Sequence, residues 1–118
     1  MILVDTSVWV RHLRKGDTLL GALLQNEKVL CHPFVVGELS CGSLHNRREI
    51  LKRLNALPQI PVVEHKDVLL LIENNRLWSR GLSWVDVHLL ASAILTECAL
   101  WTFDKALKDA AGAMHVSA

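Results

Sequence analysis

The sequence predicts a single α/β domain in which helices cover both faces of a mainly parallel sheet. The chain has 118 residues, which is an ordinary size for one domain. Short apolar runs with β-branched residues alternate with helical patterns, and parallel strands need such crossover helices. No linker or internal repeat divides residues 1–118. We therefore expect one three-layer α/β/α domain.

The first part of the chain predicts two strands. Met1 to Val4 is a short apolar run, and a helical pattern follows it directly. Leu19 to Leu24 is a second helical segment, and Lys28 to Cys31 is the second strand. Pro33 suits the first turn of a further helix, which Gly42 ends.

The middle of the chain predicts two helices around a third strand. Arg47 to Leu57 has a helical pattern. Two prolines then bracket the β-branched pair Val62 and Val63, which predicts a short strand. Lys66 to Arg80 is the next helix, which stops at Gly81.

The last part of the chain predicts two more strands. Ser83 caps a strong helix that runs to Glu97, and Ala99 to Thr102 is the fourth strand. Asp104 to Ala111 is the last helix, and Met114 to Val116 is a fifth strand. In such sheets ligands bind beyond the carboxyl ends of the strands, where the strand order reverses.

Composition favours a compact chain without a membrane segment. The hydrophobic share is 51% and the mean hydropathy is +0.27. The richest apolar run, Val68 to Ile72, is far shorter than the roughly 20 residues that span a bilayer. No secretion signal precedes the first predicted strand, so we expect a cytoplasmic protein.

Cysteine spacing argues against a zinc site, and net charge does not discriminate between classes of partner. Cys31, Cys41 and Cys98 are odd in number and lack zinc-type spacing, so we expect reduced thiols. The formal charge of +1 argues neither for nor against a polyanionic partner.

Two aspartates directly follow predicted strands. Asp5 ends the run that forms the first strand, and Asp104 follows the fourth. A carboxylate at a strand tip is partly buried, and it costs free energy unless it is hydrogen-bonded or bound to a cation. Either residue can instead be the N-cap of the next helix. Taken singly, neither aspartate decides between these roles.

Glu38 shares a helical face with two apolar residues. Phe34 and Val35 lie four and three positions before it. A carboxylate on an apolar stripe needs a partner, which is a cation site in one interpretation and an arginine in the other.

Asp86 gives the strongest single signal. The neighbours on its helical face include Leu89 and Leu90, so its carboxylate points toward the packed side. The alternative is a capping box, because Ser83 precedes it by three residues.

The four acids together favour a divalent cation site. Carboxylates that share one cavity raise each other's pKa unless a cation neutralises them. A set of oxygen ligands without cysteine or histidine favours Mg²⁺ or Mn²⁺ over zinc. Such an ion stabilises the charge that develops during phosphodiester hydrolysis. We therefore expect Asp5, Glu38, Asp86 and Asp104 to form a catalytic metal site.

Four segments in this order resemble the PIN-domain ribonucleases, specifically the VapC toxins of prokaryotic toxin-antitoxin pairs. The segments are LVDTSVW at Leu3 to Trp9, VVGELSCG at Val35 to Gly42, LSWVDVHLLASAIL at Leu82 to Leu95, and LWTFDKAL at Leu100 to Leu107. The resemblance extends over almost the whole chain, and its one departure is Leu107, where relatives commonly carry an aromatic residue. It implies a parallel five-stranded sheet whose first and fourth strands are neighbours.

The resemblance also implies roles for particular residues. Asp5 and Asp104 correspond to direct metal ligands, and Glu38 and Asp86 complete the metal site. The hydroxyl side chains beside these acids would orient them by hydrogen bonds; they are Thr6, Ser7 and Thr102. Proteins of this kind cleave transfer or ribosomal RNA, usually form homodimers, and are blocked by a VapB antitoxin.

Two basic clusters are the expected RNA contacts. Arg11 and Arg14 follow the first acid, and Arg47 and Arg48 follow Glu38. Phosphates are bound by Lys and Arg near an acidic pocket, although a charge run is also typical of a solvated helix face.

Other functions on a similar sheet fit less well. A haloacid-dehalogenase-like phosphatase needs a second aspartate where Ser7 stands, and a response-regulator receiver needs an acidic pair before the first turn. A non-catalytic RNA-binding or protein-binding module on the same fold is the remaining alternative. All four acids are present, which favours the nuclease.

Overall fold

The computed structural model describes residues 1–118 and contains three strands and seven helices. In chain order they are β1 (Ile2–Val4), α1 (Thr6–Lys15), α2 (Thr18–Gln25), β2 (Val29–Leu30), α3 (Pro33–Ser40), α4 (Arg47–Ala56), α5 (His65–Asn75), α6 (Trp84–Thr96), β3 (Ala99–Trp101) and α7 (Lys105–Ala113).

The strands form one parallel sheet in the order β2, β1, β3. Ile2 pairs with Val29 on one side of β1 and with Ala99 on the other. The predicted pairing of the first strand with the strand that begins at Ala99 is therefore confirmed. Because both pairings are parallel, the carboxyl ends of all three strands lie at the same edge of the sheet.

Helices cover both faces of this sheet. Consecutive side chains of a strand point to opposite faces, and Leu3 and Val4 in β1 are both 0% exposed. Contacts link α1 with α3 and α3 with α4, whereas α6 contacts α5, α7 and β3. The predicted layered α/β architecture is confirmed. No helix is both long enough and apolar enough to cross a bilayer.

The prediction of five strands is wrong, because the two outer segments make only single bridges. Gln59 bridges Cys31, and the segment through Val62 and Val63 forms no strand. Pro58 and Pro61 lack the N–H groups that a longer ladder requires.

The predicted fifth strand is likewise reduced to one bridge, between Leu100 and Ser117. His115 has a left-handed backbone with φ of 60°, which interrupts the extended run from Met114 to Val116.

One helix is shorter than predicted. The expected helix from Lys66 to Arg80 ends at Asn75, because Arg76 adopts a left-handed conformation with φ of 50°. The N–H of Leu77 then donates to the carbonyl of Ile72 at 3.0 Å, and the Leu77 side chain is buried in the core. The helix therefore ends where the chain turns to bury Leu77, and it does not reach Gly81, the residue predicted to stop it.

Candidate active site

Asp5 and Asp104 lie at the carboxyl-terminal edge of the sheet, after the neighbouring strands β1 and β3. The N–H of Asp5 donates to the carbonyl of Trp101 at 2.9 Å, which continues the ladder between these strands. Asp5 is only 5% exposed, whereas Asp104 is exposed. The parallel pairing thus carries both acids to one edge, as the sequence predicts.

Two hydroxyl groups hold the carboxylate of Asp5. Ser7 Oγ and Thr102 Oγ1 each donate to Asp5 Oδ2 at 2.7 Å. The same hydroxyls accept backbone N–H groups of the next turn, Ser7 from Phe103 and Thr102 from Asp104, each at 3.0 Å. Hydrogen bonds of this kind offset the cost of burying a carboxylate. They also fix the turn after β3 relative to Asp5.

Asp104 and Asp86 each cap a helix with one oxygen. Asp104 is the N-cap of α7, and its Oδ2 accepts the N–H of Leu107 at 3.0 Å. Asp86 forms a capping box with Ser83: its Oδ2 accepts the Ser83 N–H at 2.9 Å, and its own N–H donates to Ser83 Oγ at 3.1 Å. The capping alternative is therefore present for Asp86 and Asp104, whereas Asp5 stands at the N-cap position of α1 but its side chain makes no capping hydrogen bond.

Capping does not remove Asp86 from the influence of the other acids. Burial of its carboxyl group raises the pKa of Asp86, and the negative charges of Asp5 and Asp104 raise it further. Hydrogen bonds from Ser83 oppose this rise. Asp86 therefore lies within electrostatic reach of two carboxylates from other parts of the chain.

Glu38 is hydrogen-bonded to Thr6, the residue next to Asp5. It is exposed on α3, and its Oε1 accepts a hydrogen bond from Thr6 Oγ1 at 2.6 Å. No arginine forms an ion pair with it, so the partner on its apolar face is a hydroxyl group. We call Asp5, Glu38, Asp86 and Asp104 together the acidic pocket.

The acidic pocket fits a divalent cation by donor type and charge. All its donors are oxygen atoms, and none of the four carboxylates forms an ion pair with a Lys or Arg side chain. One oxygen of each carboxylate accepts no hydrogen bond; these atoms are Oδ1 of Asp5, Asp86 and Asp104, and Oε2 of Glu38.

The four carboxylates do not form a closed metal cage. No group of three or more His, Cys, Asp or Glu side chains is arranged so that it could hold a metal ion. The fold brings Asp5 and Asp104 within electrostatic reach of Asp86, and a hydrogen bond links Glu38 to the residue beside Asp5. The assignment of these four acids as metal ligands stays a prediction.

The four arginines that the sequence predicts as RNA contacts are exposed, but their neighbouring groups differ. Arg11 lies over the ring of Phe103 and forms a long ion pair of 3.9 Å with Asp17. Arg14 lines a groove of about 500 Å³ that Thr6 and Glu38 also line. The side chain of Arg47 donates to the Gly42 carbonyl at 3.4 Å, whereas that of Arg48 makes no ion pair or hydrogen bond.

The structure contains a pair of buried histidines, one at the N-cap of α3 and one on α6, that the sequence does not predict as a pair. His32 is 0% exposed and His88 is 3% exposed. We call these two rings, which are packed with Phe34 and Trp84, the histidine cluster. His32 Nδ1 accepts the Phe34 N–H at 2.9 Å, while His32 Nε2 and His88 Nδ1 are buried without partners. A histidine directly before Pro33, at an N-cap position, was the available signal.

Burial keeps the histidine cluster neutral. Burial of the ring, together with the nearby His88, lowers the pKa of His32 to about 4. Burial also lowers the pKa of His88, with a smaller effect from the charge of His65.

Comparison with known proteins identifies similar chains. The family model for the PIN domain matches residues 2–113. Ribonuclease VapC32 from Mycobacterium tuberculosis strain CDC 1551 / Oshkosh is 51% identical over 111 residues, which cover 93% of this chain and 90% of that protein. Ribonuclease VapC32 from strain ATCC 25618 / H37Rv has the same identity and coverage. No solved structure is significantly similar to this chain.

Proposed function

Because the chain belongs to the PIN-domain family, we propose that it is a VapC-like toxin, an endoribonuclease that depends on Mg²⁺ or Mn²⁺. One observation in the structure carries the metal-dependent part of this proposal. Asp5, Asp86 and Asp104 interact electrostatically, and no basic side chain of the protein pairs with them. A cation from outside the chain is what such a group requires.

The four acids take different positions around the proposed ion. Asp5 and Asp104 would hold it, and Glu38 and Asp86 would complete the site from α3 and α6; each has one oxygen that accepts no hydrogen bond. Ser7 and Thr102 orient Asp5, and Thr6 orients Glu38, through the hydrogen bonds described above.

The proposed reaction is hydrolysis of an RNA phosphodiester. An oxygen of water forms a bond to phosphorus while the bond from phosphorus to the 3′ oxygen breaks, which gives a 5′-phosphate and a 3′-hydroxyl. The bound cation supplies positive charge near the phosphate and lowers the pKa of the attacking water. The acids keep this charge at the sheet edge, and the nearby arginines attract the RNA backbone.

A chelator experiment tests this function. Purified protein is incubated with transfer RNA and ribosomal RNA in Mg²⁺ or Mn²⁺, with and without excess chelator, and the RNA ends are mapped. We expect cleavage only in free metal. Equal cleavage in the chelator contradicts the metal-dependent mechanism, and RNA binding without cleavage in either metal favours the non-catalytic module.

Partners form the second part of the proposal. We propose that a VapB-like antitoxin blocks the acidic pocket and that the protein acts as a homodimer in the cytoplasm. Large apolar side chains exposed on and near α5 support a protein interface; they are Val62, Leu69, Leu70, Trp78 and Trp84. Analytical ultracentrifugation of the purified chain, alone and mixed with a VapB-type antitoxin, tests both associations.

A further inference from the structure

Phe103 is an exposed aromatic residue beside the acidic pocket. It lies between Thr102 and Asp104 in the turn from β3 to α7, and its side chain is 45% exposed. The proposed metal site uses both neighbours but not this ring. Exposing an aromatic ring forgoes the free energy of its burial, so its position invites a functional explanation.

The ring is held in place by the elements that carry Asp5. Ser7 Oγ accepts the Phe103 N–H at 3.0 Å, and Trp101 packs edge-on with ring centroids 5.8 Å apart and planes at 84°. The guanidinium carbon of Arg11 lies 5.2 Å from the ring centroid. Ser7 and Arg11 are four residues apart on one face of α1, so a single helix face positions both backbone and ring.

This arrangement matches the chemistry of unpaired RNA. Nucleobases stack on aromatic side chains, and a guanidinium group beside the ring adds attraction for the base and for its phosphate. The Arg11 side chain is 54% exposed, and its ion pair with Asp17 is long at 3.9 Å. Its donors are therefore free to contact a phosphate.

We propose that Phe103 stacks on the nucleobase next to the cleaved phosphodiester bond and that Arg11 holds the ring and the adjacent phosphate. This inference rests on the ribonuclease function proposed above. Because a base that stacks on Phe103 has left its own helix, this contact selects unpaired nucleotides at the site of cleavage.

An RNA lacking one base tests the contact directly. The substrate is a single-stranded oligoribonucleotide that spans a mapped cleavage site, made with all bases or with an abasic ribose on the 5′ or 3′ side of the cleaved bond. Wild type is compared with Phe103→Ala, Phe103→Leu and Phe103→Trp. Leu95→Ala is the control, because it shortens an exposed apolar side chain at the far end of α6.

We expect one abasic substitution to raise the KM of wild type by roughly tenfold with little change in kcat, as for a lost stacking contact. Phe103→Ala should show a similar rise on the complete RNA and no further rise on the abasic RNA. Phe103→Trp should restore the low KM, whereas Phe103→Leu should not, and Leu95→Ala should behave like wild type.

Two results overturn the inference. One is an unchanged KM in Phe103→Ala. If this variant instead alters only self-association, the ring belongs to a protein interface, and the inference is again wrong. The other is an equal abasic penalty in wild type and Phe103→Ala. Both require RNA cleavage by wild type; a wild type that cleaves no RNA in either metal contradicts the proposed function instead.

Discussion

The acidic pocket and the histidine cluster both gather titratable side chains, but they avoid unfavourable charge in different ways. In the acidic pocket, each carboxylate accepts hydrogen bonds at one oxygen and leaves the other oxygen without them. In the histidine cluster, burial lowers the pKa values of His32 and His88, which favours neutral rings. The first group therefore keeps carboxylate oxygens that could accept an external cation, whereas burial in the second group disfavours charge.

The largest expected effect comes from removing one charge at the sheet edge. Asp5→Asn keeps an oxygen that can accept from Ser7 and Thr102, so the fold should survive, with reduced repulsion among the acids. Loss of a metal ligand should slow RNA cleavage by on the order of 10³-fold or more, since a bound ion supplies several kcal/mol. Asp104→Asn should act in the same way.

Initial cleavage rates and thermal unfolding check this prediction. The matched control is Asp109→Asn, which alters an exposed carboxylate that pairs with Lys105 on α7 outside the acidic pocket. Wild-type turnover in both Asp5→Asn and Asp104→Asn would falsify the assignment of these residues as metal ligands.

The next largest effect is a pH dependence of stability in the histidine cluster. Since the pKa of His32 falls from 6.5 to about 4 on folding, the unfolded chain binds a proton below pH 6.5 that the folded chain takes up only near pH 4. The free energy of unfolding should therefore decrease as the pH falls through this window, by roughly 3 kcal/mol from His32.

Denaturant titrations at several pH values measure this decrease. His32→Asn retains an N-cap acceptor for the Phe34 N–H but cannot titrate, so its stability should depend less steeply on pH. His115→Asn is the control, because it removes an exposed histidine at a left-handed position that asparagine tolerates. Identical pH slopes for wild type and His32→Asn would show that His32 does not titrate in this way.

These two regions also differ in how far the sequence predicts them. Asp5 and Asp104 follow short apolar strands, which the sequence shows directly, and the resemblance to the PIN-domain ribonucleases implies that these two strands are neighbours. The histidine cluster depends on tertiary packing of α3 against α6, and a buried histidine has no distinctive pattern of its own. The missing outer strands have a local cause in Pro58, Pro61 and His115, of which only the prolines are visible in the sequence.

The capping residues show the limit of interpreting one acid at a time. For Asp86 and Asp104 the sequence offers capping and metal binding as alternatives, whereas the structure shows caps that use one oxygen and leave the other without a hydrogen bond. The local pattern predicts the cap, and only the fold brings Asp5 and Asp104 close enough to raise the pKa of Asp86.

A smaller effect is expected when the charge of Asp86 is removed. Since burial and the neighbouring acids raise the pKa of Asp86, its ionised form destabilises the fold at neutral pH. In a chelator, Asp86→Asn should therefore unfold at a higher temperature than wild type at pH 7. This advantage should disappear at pH values below 3.8, where the carboxyl group of wild type is protonated in both states.

In Mg²⁺, wild type should instead unfold at a higher temperature than Asp86→Asn. Binding to the folded state stabilises wild type by mass action, and Asp86→Asn should gain less. Thermal unfolding with and without Mg²⁺ measures the difference, with Asp109→Asn again as the control. An equal gain in both proteins would place the ion away from Asp86.

The smallest effect is expected in the basic cluster of α4. If the acidic pocket takes its positive charge from a cation rather than from arginines, the arginines remain available to RNA phosphates. Arg47→Ala combined with Arg48→Ala should weaken RNA binding several-fold and reduce the salt slope of the affinity by up to about 0.7 per lost phosphate contact.

Binding is measured on the Asp5→Asn background, so that the RNA stays intact. Arg53→Ala is the matched control, since Arg53 is already paired with Glu49 on the same helix at 2.9 Å. A slope unchanged by the double substitution assigns Arg47 and Arg48 to a solvated face and leaves Arg11 and Arg14, on α1, as the arginines that contact RNA.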